Sequence, residues 1–195
     1  MIISLYIYDI CNLVKDPILT HNILEHTNRY NNIEKRRISE SNYHMACIKL
    51  KELGANLDSF IFDNGKPLID DYYISFSHNQ SFYGFSISKE NNGIDIEEIV
   101  SDDLKDKLAK RMLKENDYKL YNDSNNKNEI LTRIWCEIEA AGKMDSCGID
   151  LHFNHPNYVY KSFKLNNNII TISAKEDFEI ELYINDVRSN AIWLM

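Results

Sequence analysis

Length, composition and charge limit the kinds of protein that this chain can be. The chain has 195 residues, of which 44% are apolar and 11% are aromatic, so it can bury a sizeable core and is not a disordered chain. Its 22 basic and 30 acidic residues give a net charge of −8, which argues against a diffuse positive field for nucleic acid. Any anionic ligand must therefore be held by a local basic cluster.

The N-terminal segment and the cysteines bear on where the protein works. The first ten residues, MIISLYIYDI, are apolar but have no basic start and no small-residue cleavage site, which favours a strand over a signal peptide. No apolar run approaches the length of a membrane span. The four cysteines lack CxxC spacing, so they are typical of reduced thiols rather than of a zinc site. We expect a soluble cytoplasmic protein without a membrane or nucleic-acid partner.

The first half of the chain reads as a strand, two helices and three more strands. The second helix begins at Ser39 or Ser41, either of which can serve as its N-cap, and ends near residue 53. The strands at 73–76, 82–88 and 94–99 are separated by turn residues, so an antiparallel meander is expected. The remaining predicted elements are a strand over 1–9 and a helix over 17–30.

The second half repeats the order of helix followed by strands. Helices are predicted over 101–121 and 129–144, and strands over 158–165, 169–174 and 178–184. Nothing in the composition separates the halves by a linker. We therefore predict an α+β fold of two halves, residues 1–98 and 99–195, packed as one unit.

Two carboxylates on a predicted strand are the first candidates for a metal site. Asp95 and Glu97 are two residues apart, so both project from one face of the strand. Two acidic groups side by side repel unless a cation lies between them. An isolated Asp-x-Glu pair is more often a solvated strand face, and that alternative stays open at this point.

A predicted helix supplies a third carboxylate and a lysine. Glu139 and Lys143 are four residues apart and share a face, which by itself could be a surface ion pair worth about 0.3–0.5 kcal/mol. Magnesium is usually held by one or two carboxylates together with substrate phosphates. Asp95, Glu97 and Glu139 with a diphosphate fit that preference. The alanines and glycine that follow Glu139 would leave room for a bulky ligand.

Several cations and one histidine could hold the phosphates. His78 follows Ser77 at the end of a strand and could grip a phosphate oxygen together with Lys143. Lys35, Arg36 and Arg37 form the densest basic cluster, although they could also be a solvated approach to a helix. The helix over 101–121 carries further basic residues, which are either solvated or a docking strip for an acidic partner protein.

Taken together, these segments resemble the Sfp-type 4′-phosphopantetheinyl transferases. Residues 75–78 (SFSH) resemble the family's [FN]-x-S-H segment, and residues 93–97 (GIDIE) match its G-[IV]-D-[IV]-E motif at every position. The segment at 135–143 (WCEIEAAGK) resembles its W-x-x-K-E-[AS]-x-x-K helix, and 65–67 (GKP) matches an upstream turn. The similarity covers roughly residues 35–150, in the family's order and with its usual spacings.

The resemblance implies a fold and a reaction. The fold would be two pseudo-symmetric α/β halves with the active site at their interface, compatible with a monomer. The reaction would be Mg²⁺-dependent transfer of the 4′-phosphopantetheine arm of coenzyme A to a serine of an acyl or peptidyl carrier protein, releasing 3′,5′-ADP.

It also implies roles for single residues. Asp95, Glu97 and Glu139 would hold Mg²⁺, with Glu139 also the base for the serine hydroxyl. His78 and Lys143 would bind the phosphates as part of the catalytic set. The expected coenzyme A contacts are Lys35, Arg36, Arg37, Gly65, Lys66, Pro67, Ser77, His78 and Lys143.

Two departures from the family pattern leave alternatives open. Ile138 occupies the place of the first lysine in W-x-x-K-E, and we expect it to pack into the core. His44 stands where many members have an arginine. Besides an active transferase, the chain could be a degenerate relative that binds coenzyme A or a partner protein without transfer. It could also be a metal-dependent phosphate-ester hydrolase.

Overall fold

The computed structural model describes residues 1–63, 65–148, 157–191 and 193–194, which form eleven strands and five α-helices. The first half contains β1 (Ile2–Asp9), α1 (His21–Thr27), α2 (Ile33–Glu52), β2 (Ile61–Asp63), β3 (Lys66–Ile69), β4 (Tyr72–His78), β5 (Phe82–Ser88) and β6 (Asn92–Glu98). The second contains α3 (Asp102–Met112), α4 (Glu115–Asp123), α5 (Lys127–Asp145), β7 (Val159–Leu165), β8 (Asn168–Ala174), β9 (Glu179–Ile184), β10 (Val187–Ser189) and β11 (Trp193–Leu194). This mixed content confirms the α+β prediction.

The strands form two sheets. The larger sheet has the order β10-β9-β1-β5-β4-β3-β2, and the smaller has the order β11-β7-β8-β6. Strands β9 and β10 come from the second half of the chain, yet β9 runs parallel to β1 in the larger sheet. The chain therefore crosses between the sheets on both sides of residue 98. The division at that residue and the pseudo-symmetry of the halves remain predictions.

The predicted antiparallel meander is wrong at its third strand. β4 and β5 pair antiparallel as expected, but β6 leaves that sheet and pairs with β8. The buried side chain of Asn92 organises the turn before β6, because it donates to Ser88 Oγ at 3.0 Å and to the carbonyl of Glu90 at 3.2 Å. The turn redirects the chain, so β6 faces β4 across the gap between the sheets.

Helix α5 packs closely on β6, and Gly93 permits the contact. A Cβ added at Gly93 would lie 1.9 Å from the carbonyl oxygen of Ala140, well inside van der Waals contact. Ala140 and Ala141 are fully buried, so the expected room for a ligand beside this run is confined to Gly142. The small residues therefore serve mainly to bring the helix against the strand.

Helix α2 begins earlier than the sequence pattern indicated. Its N-cap is Asn32, whose side chain accepts a hydrogen bond from the backbone N–H of Lys35 at 2.9 Å. Ser41, one of the two predicted caps, is instead buried within the helix, and its hydroxyl accepts from the N–H of Val14 at 3.1 Å. The earlier start places Lys35 in the first turn of α2.

The single helix predicted over 101–121 is two helices. Leu113 is extended, and the backbone N–H of Lys114 donates to the Asp117 side chain at 3.1 Å, which starts α4. This local cap competes with continuation of α3, and the apolar periodicity across the break does not reveal it. In the part of the chain that the structure describes, no helix combines the length and apolarity needed to cross a membrane.

Candidate metal and phosphate site

Three carboxylates meet where β6 faces α5. Asp95 and Glu97 project from the same face of β6, whereas Ile94 and Ile96 point the other way into a buried apolar cluster. Glu139 joins them from α5, and one oxygen atom from each of the three groups lies within 4.8 Å of the other two. We call Asp95, Glu97 and Glu139 the carboxylate triad. The sequence predicted this set, and the structure brings it together.

A hydrogen-bond network fixes Asp95, the most buried member. Its Oδ1 accepts from Lys143 Nζ at 2.7 Å and from Ser77 Oγ at 3.0 Å. Ser77 Oγ in turn accepts from Lys143 Nζ at 2.9 Å and from the backbone N–H of Ile96 at 3.1 Å. The hydroxyl of Ser77 therefore joins β4, β6 and α5 at one point.

The other oxygen of Asp95 is left for a different partner. Asp95 is 1% exposed, and its Oδ2 is buried with no hydrogen-bond donor among the described residues. A buried carboxylate oxygen without a partner is costly unless a cation fills the site. This orphaned oxygen, facing two further carboxylates, fits a bound divalent metal ion.

The pKa values of Glu97 and Glu139, the other two triad members, also fit a site for a divalent cation. Burial raises the pKa of Glu97 to about 7, and the charge of Asp95 adds to the effect. The pKa of Glu139 is also raised to about 7, first by burial and then by Asp95. A nearby divalent cation would reverse these shifts, because it favours the ionised carboxylates.

Trp135 has a role that its apolar spacing did not suggest. Its indole Nε1 donates to Glu97 Oε1 at 3.2 Å, so the ring orients one triad carboxylate while it also packs against the apolar cluster of α3–α5. Ile138 packs against that same cluster, as expected. The position of the missing lysine is therefore occupied by a side chain that contributes to the core.

Three cavities share residues around the triad. The central cavity, of about 350 Å³, is lined by the triad together with Lys35, Ser77, His78 and Lys143. A cavity of about 670 Å³ shares Lys35, His78 and Glu97 with it. A cavity of about 440 Å³ shares Glu139 and Lys143. Cavities that share lining residues with the central cavity therefore lie on both sides of the triad.

His78 stands where the central cavity meets the larger of its neighbours. Burial lowers the pKa of His78, and the positive charges of Lys143 and Lys35 lower it further, whereas Asp95 opposes them. Burial and the two lysines therefore favour the neutral imidazole. Its position at the end of β4, beside two lysines, is suited to a phosphate oxygen.

The basic cluster at residues 35–37 is divided by the structure. Lys35 lines two of the cavities, as a phosphate contact would require. Arg36 instead donates through Nε to Glu40 Oε1 at 2.8 Å, and Arg37 is exposed. Consecutive residues of a helix point about 100° apart, so three neighbours cannot face one site. Ligand contacts from Arg36 and Arg37 stay predictions.

The turn at residues 65–67 borders the cavity beside Glu139. Gly65 has φ of +83°, a backbone conformation that glycine adopts without strain. Gly65, Lys66 and Pro67 line that cavity together with an aromatic wall that sequence reasoning missed. The wall consists of His26, Tyr30, Tyr43 and Phe76. Its members come from α1, the segment after it, α2 and β4, so no local spacing could have united them.

His44, the second departure from the family pattern, is engaged elsewhere. Its Nδ1 lies 2.9 Å from the backbone nitrogen of Ile18 and accepts its hydrogen. The imidazole therefore fixes the segment that precedes α1. It takes no part in lining the three cavities around the triad.

Comparison with known proteins identifies the family. The model of the 4′-phosphopantetheinyl transferase superfamily matches residues 92–189, half of the chain. The match includes the triad and Lys143, and the chain belongs to this superfamily, as the motifs indicated. Members are transferases. A search of curated proteins found no significant match. Ser77, His78 and the turn at residues 65–67 lie outside the matched range, so their roles rest on the structure and on their own motifs.

Proposed function

We propose that the protein transfers the 4′-phosphopantetheine arm of coenzyme A to a serine of an apo acyl or peptidyl carrier protein. The reaction depends on Mg²⁺ and releases 3′,5′-ADP. Membership of the superfamily supports the transferase class. The observation that carries the proposal is the buried, unpartnered Oδ2 of Asp95 within the carboxylate triad, beside Lys143 and His78.

The triad would hold the metal. Asp95, Glu97 and Glu139 offer oxygen atoms only, which is the ligand type that Mg²⁺ prefers. When bound, Mg²⁺ would neutralise negative charge on the diphosphate and stabilise the charge that develops as the phosphoryl group transfers. Trp135 holds Glu97 in place, and Ser77 with Lys143 holds Asp95.

The remaining side chains act on the two substrates. Lys143 and His78 would bind and orient the phosphates, with Lys35 as a further cation in the central cavity. Glu139 would accept the proton of the serine hydroxyl, because its carboxylate lies in the triad and lines the central cavity beside Lys143 and His78. The serine oxygen then bonds to the β-phosphorus, and the bond from that phosphorus to the bridging oxygen breaks.

The cavities suggest how the substrates are arranged. The nucleotide would lie in the cavity of about 440 Å³, between the aromatic wall and the turn at Gly65, Lys66 and Pro67. The carrier serine must then approach from another side. A cavity of about 720 Å³ between α3 and α5 borders Glu97 and provides one such approach.

A mass measurement tests the proposal. The protein is mixed with apo carrier protein, coenzyme A and Mg²⁺, and the carrier is weighed by mass spectrometry. Fatty-acid, polyketide and peptide-synthetase carriers are each included. A mass gain equal to phosphopantetheine, lost when Mg²⁺ is chelated, is the expected result.

Two other functions would give different outcomes in the same assay. Tight coenzyme A binding by calorimetry without mass gain on any carrier would contradict transfer and favour a binding protein. The isoleucine at position 138, where the family pattern has a lysine, would then contribute to the loss of transfer activity. Release of free phosphopantetheine from coenzyme A without a carrier would favour a hydrolase.

A further inference from the structure

Lys66 makes contacts that differ from those expected of a ligand-binding lysine. The residue follows Gly65 at the start of β3 and is half-buried. Its Nζ donates to the carbonyl of Met144 at 2.8 Å, to the carbonyl of Asn92 at 3.1 Å, and to Asn91 Oδ1. An ammonium group has three donors, and all three are engaged by the protein.

The acceptors belong to the two elements that build the carboxylate triad. Met144 lies in the last turn of α5 and follows Lys143 directly, whereas Asn92 is the first residue of β6, three before Asp95. Asn91 reinforces the junction, because its Nδ2 also donates to the carbonyl of Met144, at 2.9 Å. The Lys66 ammonium therefore connects the turn at residues 65–67 to both β6 and α5.

This location is favourable for a positive charge. The last carbonyls of a helix have no partner within the helix, and a cation near them also interacts favourably with the helix dipole. Burial lowers the pKa of Lys66 to about 8, while Asp145 opposes that effect. Burial costs the ammonium its hydrogen bonds to water, and hydrogen bonds to two carbonyls and an amide oxygen of the protein replace them.

We propose that Lys66 is a positioning residue that couples the wall of the nucleotide cavity to the metal site. It holds the end of α5 and the start of β6 in register, and through them it places Lys143 and Asp95. The backbone of the turn borders the ligand, while the ammonium of Lys66 does not bind a phosphate. The inference rests on the proposed function in one respect, which is that the triad binds Mg²⁺ and the neighbouring cavity binds the nucleotide.

The experiment compares Lys66→Met with Lys35→Met. Lys35 lines the central cavity and is itself exposed, so its loss removes a cation without emptying a packed contact between elements. Amide hydrogen exchange is followed in the ligand-free proteins, and binding of MgCl₂ and of 3′,5′-ADP is measured by calorimetry.

Lys66→Met should speed exchange at the amides of residues 65 and 66 and in the last turn of α5, and should weaken Mg²⁺ binding roughly three- to tenfold. Lys35→Met should leave exchange and Mg²⁺ affinity unchanged and weaken only 3′,5′-ADP binding. As a second variant that retains the ammonium, Asn91→Ala should shift exchange and Mg²⁺ affinity in the same direction as Lys66→Met, by less. It keeps the proposal testable if Lys66→Met does not fold.

Two results would overturn the inference. If Lys66→Met lowers 3′,5′-ADP affinity and leaves exchange and Mg²⁺ affinity at wild-type values, the lysine contacts the ligand directly. If it lowers only the melting temperature, its role is stability alone. Absence of Mg²⁺ binding by the wild-type protein would instead contradict the proposed function, and the exchange data alone would then decide whether Lys66 joins the three elements.

Discussion

The metal side of the site and its phosphate side are built in different ways. The triad and Lys143 all lie within β6 and α5, two regular elements in close contact, with Lys143 in the last turn of α5. The phosphate side draws on element ends: Lys35 lies in the first turn of α2 and His78 is the last residue of β4. Within a helix or strand the period of the element fixes the direction of each side chain. At the ends of an element the direction depends on caps and turns. The metal side should therefore be rigid and intolerant of substitution, and the phosphate side should be more tolerant.

The largest expected effect is at Asp95. Asp95→Asn keeps the shape of the side chain but removes the charge that faces both Lys143 and the metal, so we expect Mg²⁺-dependent transfer to fall by at least about 100-fold. Carrier mass gain over time measures this. Asp106→Asn, on the exposed side of α3, is the control and should keep wild-type activity. Activity of Asp95→Asn near the control value would contradict the metal assignment.

Next in size is a packing effect at Gly93. Gly93→Ala places a methyl group against the Ala140 carbonyl, so β6 and α5 must separate, at a cost of about 3 kcal/mol in the free energy of unfolding. Urea denaturation measures it. Gly54→Ala has open space but a φ of +81°, so it isolates backbone strain and should cost about 1 kcal/mol. Equal losses in the two variants would show that β6 and α5 have room for a methyl group between them.

The triad should also make stability depend on pH and metal. Because the pKa values of Glu97 and Glu139 are raised from 4.5 to about 7, the folded state holds more protons than the unfolded chain between these pH values. The free energy of unfolding therefore falls as pH rises through that window. A Mg²⁺ concentration of about ten times the Kd at pH 8 should raise Tm by about 4 °C at that pH. The same concentration should raise Tm by much less at pH 5.

Differential scanning fluorimetry with and without Mg²⁺ measures these shifts. The variant Glu97→Gln removes one of the two titrating carboxylates, so it should flatten the pH dependence in the absence of metal. An equal rise in Tm at both pH values would mean that Mg²⁺ binds outside the triad.

The smallest expected effect separates two neighbours on the phosphate side. Lys35→Met removes a cation that lines the central cavity, and we expect the KM for coenzyme A to rise about fivefold, as for one screened charge contact. Arg36→Met removes a side chain that is paired with Glu40, and the KM should change less than about twofold. Steady-state kinetics decides between them. A larger effect at Arg36 would place the phosphate on the other face of α2.

The same contrast explains what could be predicted from the sequence. The period of two on a strand placed Asp95 and Glu97 on one face, and the helical i, i+4 spacing placed Glu139 with Lys143. The expectation that the helix brings Glu139 to the two strand carboxylates came from the resemblance to the transferase family. The α+β class followed from the order of apolar patterns. Residue spacing within a helix or strand predicts which side chains share a face, so the side-chain directions on the metal side could be predicted.

What the sequence did not predict depends on contacts between distant segments. The pairing of β6 with β8 instead of β5 follows from the buried side chain of Asn92 and from the close contact at Gly93, neither of which changes the apolar pattern. The break between α3 and α4 depends on a local cap by Asp117. Trp135 has the spacing of a core residue, and only the structure places its N–H on Glu97.

The parallel pairing of β1 with β9 has a consequence for synthesis of the chain. Ile2 pairs with Glu179, so one edge of β1 remains without its partner until the distant strand β9 has also been synthesised. Pairing over such a sequence separation is slow, and an open strand edge is a template for association with other chains. We therefore expect a chain that lacks β9 to associate through the open edge of β1 more readily than the full chain, even though it contains every triad residue.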